Sequence, residues 1–207
     1  MPKPDYMLKP DKSEKFLKAM LTMFGIGYFK NAPGTLASFV TCVIYYLIYM
    51  YGWKLVGFSL YYNHTYVVWF LIIITISSIN LINDRSFRDK FAKLFKKREI
   101  ADKISDPKEI VIDEFIGQSI PIISYWYFHF GVANDSFKNA SSFFYFNEFW
   151  AWIITSFILF RFFDILKPYP INIIDKKMKN GLGIMLDDII AGIYSTIAGF
   201  IIWTLWF

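Results

Sequence analysis

Seven charged side chains and one turn hold most of the chemistry this sequence offers. Asp113 and Glu114 are adjacent, Asp187 and Asp188 are adjacent, and Asp164 lies between Arg161 and Lys167 at intervals of three. Neighbouring residues on a helix point about 100° apart, so one acid of each pair can face a bundle interior while its neighbour turns toward headgroups or a supporting partner. Carboxylate clusters without His or Cys favour a hard cation, and Mg²⁺ takes one or two carboxylates plus substrate phosphate oxygens. The i, i+3, i+6 spacing of Arg161, Asp164 and Lys167 predicts one helical stripe. Its two cations form a phosphate clamp, and Asp164 serves as metal ligand or base. Upstream, Ala32-Pro33-Gly34-Thr35 predicts a turn running into a helix start, whose backbone N–H groups at Gly34 and Thr35 form an anion cradle. Lys30 beside that turn serves phosphate contact or topology, and Asp84 is a further candidate ligand or a solvated helix end.

Absences narrow the reaction class. Cys42 lies in an apolar run with no phosphate-loop Arg after it, which excludes a cysteine phosphatase. The two histidines, His64 and His129, are placed away from the acids, against a histidine nucleophile. Neither D-x-D-x-[TV] nor D-G-x-x-A-R occurs. What remains is metal-assisted attack on a phosphate, with charge stabilisation as the main catalytic contribution.

The elements that position these residues follow from where charge is missing. Of 207 residues, 56% are hydrophobic and only 19% charged, against about 25% charged in a soluble domain. Residues 36–53, 65–83, 115–132 and 189–207 contain no Lys, Arg, Asp or Glu, and a fifth, shorter run at 149–160 continues past Arg161. About 20 apolar residues cross a bilayer core. The expectation is therefore an all-α integral membrane bundle in one domain, with about five main helices plus amphipathic and cytoplasmic ones. Pro121 either kinks the third run, opening room for a lipid, or is a tolerated packing proline. Most Tyr and Trp are expected at lipid or interfacial positions. Of 22 Lys and Arg, most fall in residues 1–35, 84–109 and 167–180, which alternating helices bring to one side. The positive-inside rule makes that side cytoplasmic, with the N-terminus inside and the acid clusters at the cytoplasmic boundary. Anionic headgroups then account for the net charge of +5 without nucleic acid. The basic tail 1–24 has no early apolar run and does not read as a signal peptide. Within it, residues 11–24 predict an amphipathic helix capped by Asp11, serving either as an in-plane anchor or as a packing element. Residues 85–105 form a basic cytoplasmic insert.

Four blocks carry a resemblance. They are G-I-G-Y followed by A-P-G-T-L-A-S at 25–38, D-P-K-E-I-V-I-D-E-F-I-G at 106–117, F-R-F-F-D-I-L-K-P-Y-P-I at 160–171 and N-G-L-G-I-M-L-D-D-I-I-A-G at 180–192. In this order they resemble the phosphatidylglycerophosphatase A family, apart from Ala37 in place of a usual Gly and a longer basic insert. The resemblance implies Mg²⁺-dependent hydrolysis of phosphatidylglycerophosphate to phosphatidylglycerol in a bacterial cytoplasmic membrane. It implies metal ligands and the water-activating group among Asp113, Glu114, Asp164, Asp187 and Asp188. Phosphate binding falls to Arg161, Lys167, Gly34 and Thr35. Which carboxylate is base and which ligand stays open, as does an aspartyl-phosphate intermediate. Three rivals remain: a phosphatase of another lipid or prenyl phosphate, a cation or proton carrier, since membrane acids also mark ion paths, and a structural membrane protein, which would explain the spans but not the acid and base clusters.

Overall fold

Hydrocarbon offers no water to backbone polar groups, so long apolar runs close their own hydrogen bonds as helices. The computed structural model describes residues 12–62, 64–83, 108–128, 142–178 and 180–206, and every regular element among them is helical. The order is α1 (Lys12–Leu21), a 3₁₀ turn (Ile26–Tyr28), α2 (Pro33–Tyr62), α3 (His64–Asn83), α4 (Ile112–Trp126), α5 (Ser142–Leu166), α6 (Ile171–Lys177) and α7 (Gly181–Trp206). Asp11, Asp84, His129 and the insert 85–105 lie outside the described residues.

Among the described residues, three helices are long and apolar enough to cross a membrane, over Pro33–Tyr51, Glu148–Leu166 and Gly181–Leu205, while Val67–Asn83 is apolar but shorter. The described residues thus form the expected helical membrane bundle, with five main helices, α2, α3, α4, α5 and α7, of unequal length. Helix α4 has 15 residues, about 22 Å of helix against a hydrocarbon core of about 30 Å. A charge-free run shows where charges are absent. It does not show where a helix starts or what encloses it. Helix α2 likewise continues past the end of the charge-free run 36–53, reaching Tyr62.

Helix α4 is the hub, packed against α2, α3, α5 and most extensively α7. Eleven of its fifteen residues are buried. The α4–α7 contact is close because glycines line it. A Cβ on Gly117 would lie 2.7 Å from both the Asp188 carbonyl oxygen and the Phe160 ring, and one on Gly192 would run into the Gly117 carbonyl. Small residues permit such backbone approach between membrane helices. Pro121 cannot donate to the Gly117 carbonyl one turn earlier, so the carbonyl that Gly192 covers is one the helix leaves open.

Tyr51, Trp69, Tyr127 and Trp150 are exposed, but some of the aromatic residues turn inward. Tyr45, Tyr125, Trp126, Phe149 and Trp152 form a buried cluster, and the Trp152 indole N–H donates to the Pro121 carbonyl at 2.9 Å. Burial of an indole needs such an acceptor, and the α4 backbone supplies it. Hydroxyls inside the bundle turn back on their own helices: Ser38 donates to Gly34, Thr41 to Ala37, Thr75 to Leu71 and Ser124 to Ile120. This meets their hydrogen-bonding needs where water is excluded.

Near the acid-bearing ends, α1 divides its apolar residues. Leu21 and Met23 enter the core beside Ile110 and Val111, and the Val111 N–H donates to the Leu21 carbonyl at 3.0 Å. Phe16 and Phe24 face outward. The start of α7 is capped twice, by Asn180 Oδ1 on the Gly183 N–H and by Asn83 Oδ1 on the Gly181 N–H, both at 2.9 Å. The second contact pins the end of α3 to the start of α7.

Candidate active site

Asp113 and Glu114 occupy the first turn of α4, where the positive end of the helix dipole favours carboxylates. Asp188 comes from α7, brought across by the glycine seam. Carboxylate oxygens of Asp113, Glu114 and Asp188 lie within 4.8 Å of one another, a spacing that suits three ligands of one cation. Asp113 and Asp188 are buried, and Glu114 keeps a buried oxygen, Oε2, with no hydrogen-bond partner among the described residues. Asp164, near the end of α5, lies close enough for its charge to act on both Asp188 and Glu114. Four carboxylates in that space cannot all be ionised without positive charge between them. Arg161 supplies one such charge, and a hard divalent cation would offset two of the remaining three.

The Arg161 guanidinium approaches Asp164 Oδ2 at 2.7 Å through Nη1, but off the hydrogen-bonding direction, and its buried Nε finds no acceptor among the described residues. A guanidinium with directed donors to spare beside a carboxylate trio suits a phosphate oxygen.

Lys167 and Asp187 go elsewhere. Helix α5 ends at Leu166, and Lys167 turns to a positive φ of 43°, so it leaves the predicted stripe. Its ammonium pairs with Asp187 Oδ2 at 2.8 Å and Asp175 Oδ1 at 3.0 Å. Burial alone would lower the Lys167 pKa, but the hydrogen bonds and charges of Asp187 and Asp175 outweigh it and hold the ammonium above its ordinary range. Asp187 Oδ1 meanwhile accepts from the Asp188 N–H at 3.1 Å. The adjacent acids therefore divide: Asp188 faces the trio, while Asp187 is tied to Lys167 and anchors the backbone behind Asp188. Asp175 belongs to this second cluster and was absent from the sequence-based set, its signal being only a carboxylate eight residues beyond Lys167.

Depth also differs from expectation. Helix α7 begins at Gly181, so Asp187 and Asp188 sit about 9 Å along it rather than at its start. Arg161 and Asp164 likewise precede the end of α5.

Gly34 and Thr35 stand in the first turn of α2, where backbone N–H groups have no acceptor within the helix. A Cβ on Gly34 would run into Glu114 Oε1, with the Glu114 carboxyl carbon at 2.9 Å. The predicted cradle therefore abuts the carboxylate trio directly, and glycine is what lets Glu114 reach that helix end. Lys30 is exposed beside it.

The family with this arrangement is recognisable along nearly the whole chain: phosphatidylglycerophosphatase A matches residues 19–203. The chain belongs to the phosphatidylglycerophosphatase A family. Among curated relatives, the phosphatidylglycerophosphatase A of Haemophilus influenzae is 58% identical over 53 residues, 26% of this chain and 32% of that protein. The match thus spans about a third of that relative's length. The Escherichia coli phosphatidylglycerophosphatase A is 28% identical over 83% of this chain and 74% of its own. A Bacteroides thetaiotaomicron protein described as a putative phosphatidylinositol-3-phosphatase is 28% identical over 90% of this chain and 93% of its own. No solved structure matches. Membership of this phosphatidylglycerophosphatase family makes the chain a phosphatase of lipid phosphates by kinship, and its apolar helices agree with association with a membrane.

Proposed function

We propose that this protein hydrolyses the terminal phosphate of phosphatidylglycerophosphate, yielding phosphatidylglycerol, at the cytoplasmic face of a bacterial inner membrane, with its N-terminus inside. The observation that carries this reading is the convergence of Asp113, Glu114 and Asp188 beside Arg161 at one end of the bundle. A lipid phosphomonoester presents its phosphate near that level, and a basic guanidinium among acids recognises phosphate rather than passing a cation.

Asp113, Glu114 and Asp188 would hold Mg²⁺, which neutralises phosphate charge when bound. Arg161 would direct its Nε–H to a phosphate oxygen as negative charge builds on the leaving group. Asp164, oriented by Arg161, is placed to take a proton from the attacking water. Asp187, fixed by Lys167 and Asp175, positions the Asp188 backbone and is a positioning residue. Gly34 leaves room for Glu114, and the first-turn N–H groups of α2 add positive potential there.

The test is phosphate release from phosphatidylglycerophosphate by detergent-purified protein, with Mg²⁺ and with EDTA, for wild type and Asp188→Asn. Metal-dependent release reduced about 100-fold or more by the substitution, in folded protein, is the expected result. Release surviving both treatments overturns the metal site. The Bacteroides relative favours a second reading, an inositol lipid phosphomonoester as substrate. Parallel assay of phosphatidylinositol 3-phosphate decides between the two by kcat/KM.

A further inference from the structure

We propose that the groove between α3, α4 and α7 binds one acyl chain of the lipid whose phosphate lies at the carboxylates. This deepens the lipid phosphatase reading and rests on it. The groove encloses about 370 Å³. One end is marked by Ile116 and Ile189, which follow Glu114 by two residues and Asp188 by one. From there it runs along α4 past Ile120 to Ile123, and along the antiparallel α3 from Ile76 past Ile72 to Val68. From Ile116 to Ser124 the floor extends about 12 Å. Its two hydroxyl residues present no polarity to an occupant, because Thr75 donates to Leu71 at 2.7 Å and Ser124 to Ile120 at 2.8 Å. Val68, Ile72 and Ile76 are exposed on the outer wall, so the groove opens sideways, where a lipid tail enters from the bilayer without leaving hydrocarbon. Its continuity with the carboxylates selects the occupant. An annular lipid gains only apolar contact there, whereas a lipid with a terminal phosphate satisfies both ends at once. A second apolar groove of about 210 Å³, between α2 and α5 at Val43, Tyr46 and Ile154, includes no neighbour of the carboxylates.

The experiment compares hexanoyl and palmitoyl forms of one lipid phosphate on wild type, Val68→Trp and Ile72→Trp, both at exposed wall positions that tolerate a larger ring. Closing the far end at Val68 should lower kcat/KM for the palmitoyl substrate about tenfold, the contact of roughly two methylenes. The hexanoyl substrate should change less than about twofold. Ile72→Trp, nearer the site, should reduce both. Equal effects on both chain lengths at Val68, or no effect, overturn the proposal. A readout without turnover accompanies it: a palmitoyl lipid phosphate bearing a chain-terminal diazirine is photo-cross-linked, and adducts are mapped. Adducts on α3 and α4 at the groove, competed by unlabelled lipid phosphate but not by phosphatidylcholine, support it. Adducts equally competed, or equally abundant in the α2–α5 groove, overturn it. Competed groove adducts without phosphate release from any lipid would sink the activity reading while leaving the groove standing. Release without them would do the reverse.

Discussion

Gly34→Ala should separate activity from stability. The new Cβ meets the Glu114 carboxylate, whose carboxyl carbon would lie 2.9 Å away against an ordinary carbon–carbon contact of about 3.5 Å. Glu114 must therefore retreat by roughly 0.6 Å at that carbon, and further at its oxygen. Because the colliding atoms are the end of a side chain, the fold can yield at small cost. Alanine also suits a helix better than glycine, by up to about 1 kcal/mol. Thermal stability should consequently stay level or rise slightly. Activity should not, since misplacing a catalytic group by about 1 Å costs on the order of 100-fold; a loss of about 10- to 100-fold in kcat is expected. The control is Gly117→Ala, where the collision is with the Asp188 carbonyl and the buried Phe160 ring. There the backbone must shift, and stability and activity should fall together. Phosphate release and a thermal melt in the same detergent check both variants. Gly34→Ala protein with activity within about threefold of wild type would refute the placement of Glu114 in the working site. So would a loss matched by the same fall in melting temperature as Gly117→Ala.

Lys167→Met removes the ammonium from Asp187 and should cost about 1–3 kcal/mol, less than a fully enclosed pair because Lys167 remains 29% exposed. The folded pKa of this lysine is raised, so its contribution is complete below about pH 10.4 and fades only as pH rises through the higher folded value. The melting difference between wild type and variant should therefore be flat from about pH 6.5 to 9, and a slope there would contradict the pairing. Trp152→Phe keeps the ring but deletes the donor to the Pro121 carbonyl, and should cost about 1–2 kcal/mol by denaturation with little effect on KM.

Charge-free runs and flanking basic segments are enough to read an all-helical membrane bundle, because a bilayer admits few alternatives. The four sequence blocks also bring out most of the site, since Asp113, Glu114, Arg161, Asp164 and Asp188 do converge. The rest depended on phase and contact. Helix α5 ends before Lys167 because Pro168 follows it, and a residue ahead of proline is disfavoured in the right-handed helical region; that signal was in K-P-Y-P, though the positive φ that Lys167 adopts was not. The depth of Asp188 was hinted by Asn180, a capping residue ahead of an apolar turn. Nothing local distinguishes Asp187 from Asp188. Their separation depends on Lys167 and Asp175 arriving from one side and α4 from the other. The burial of Trp126 and Trp152 is equally non-local, because lipid and a protein interior look alike to an apolar ring.

The two-turn recess of Asp188 along α7 bears on how the protein responds to salt. Mobile ions damp forces between charges in water over about 8 Å at physiological ionic strength, but barely reach charges enclosed by protein. The exposed Lys15 and Lys30 belong to the first kind, and the carboxylate trio with Arg161 to the second. Attraction between such exposed lysines and an anionic surface is therefore what ionic strength tunes, whereas attraction at the recessed cluster holds steady at salt concentrations that screen it.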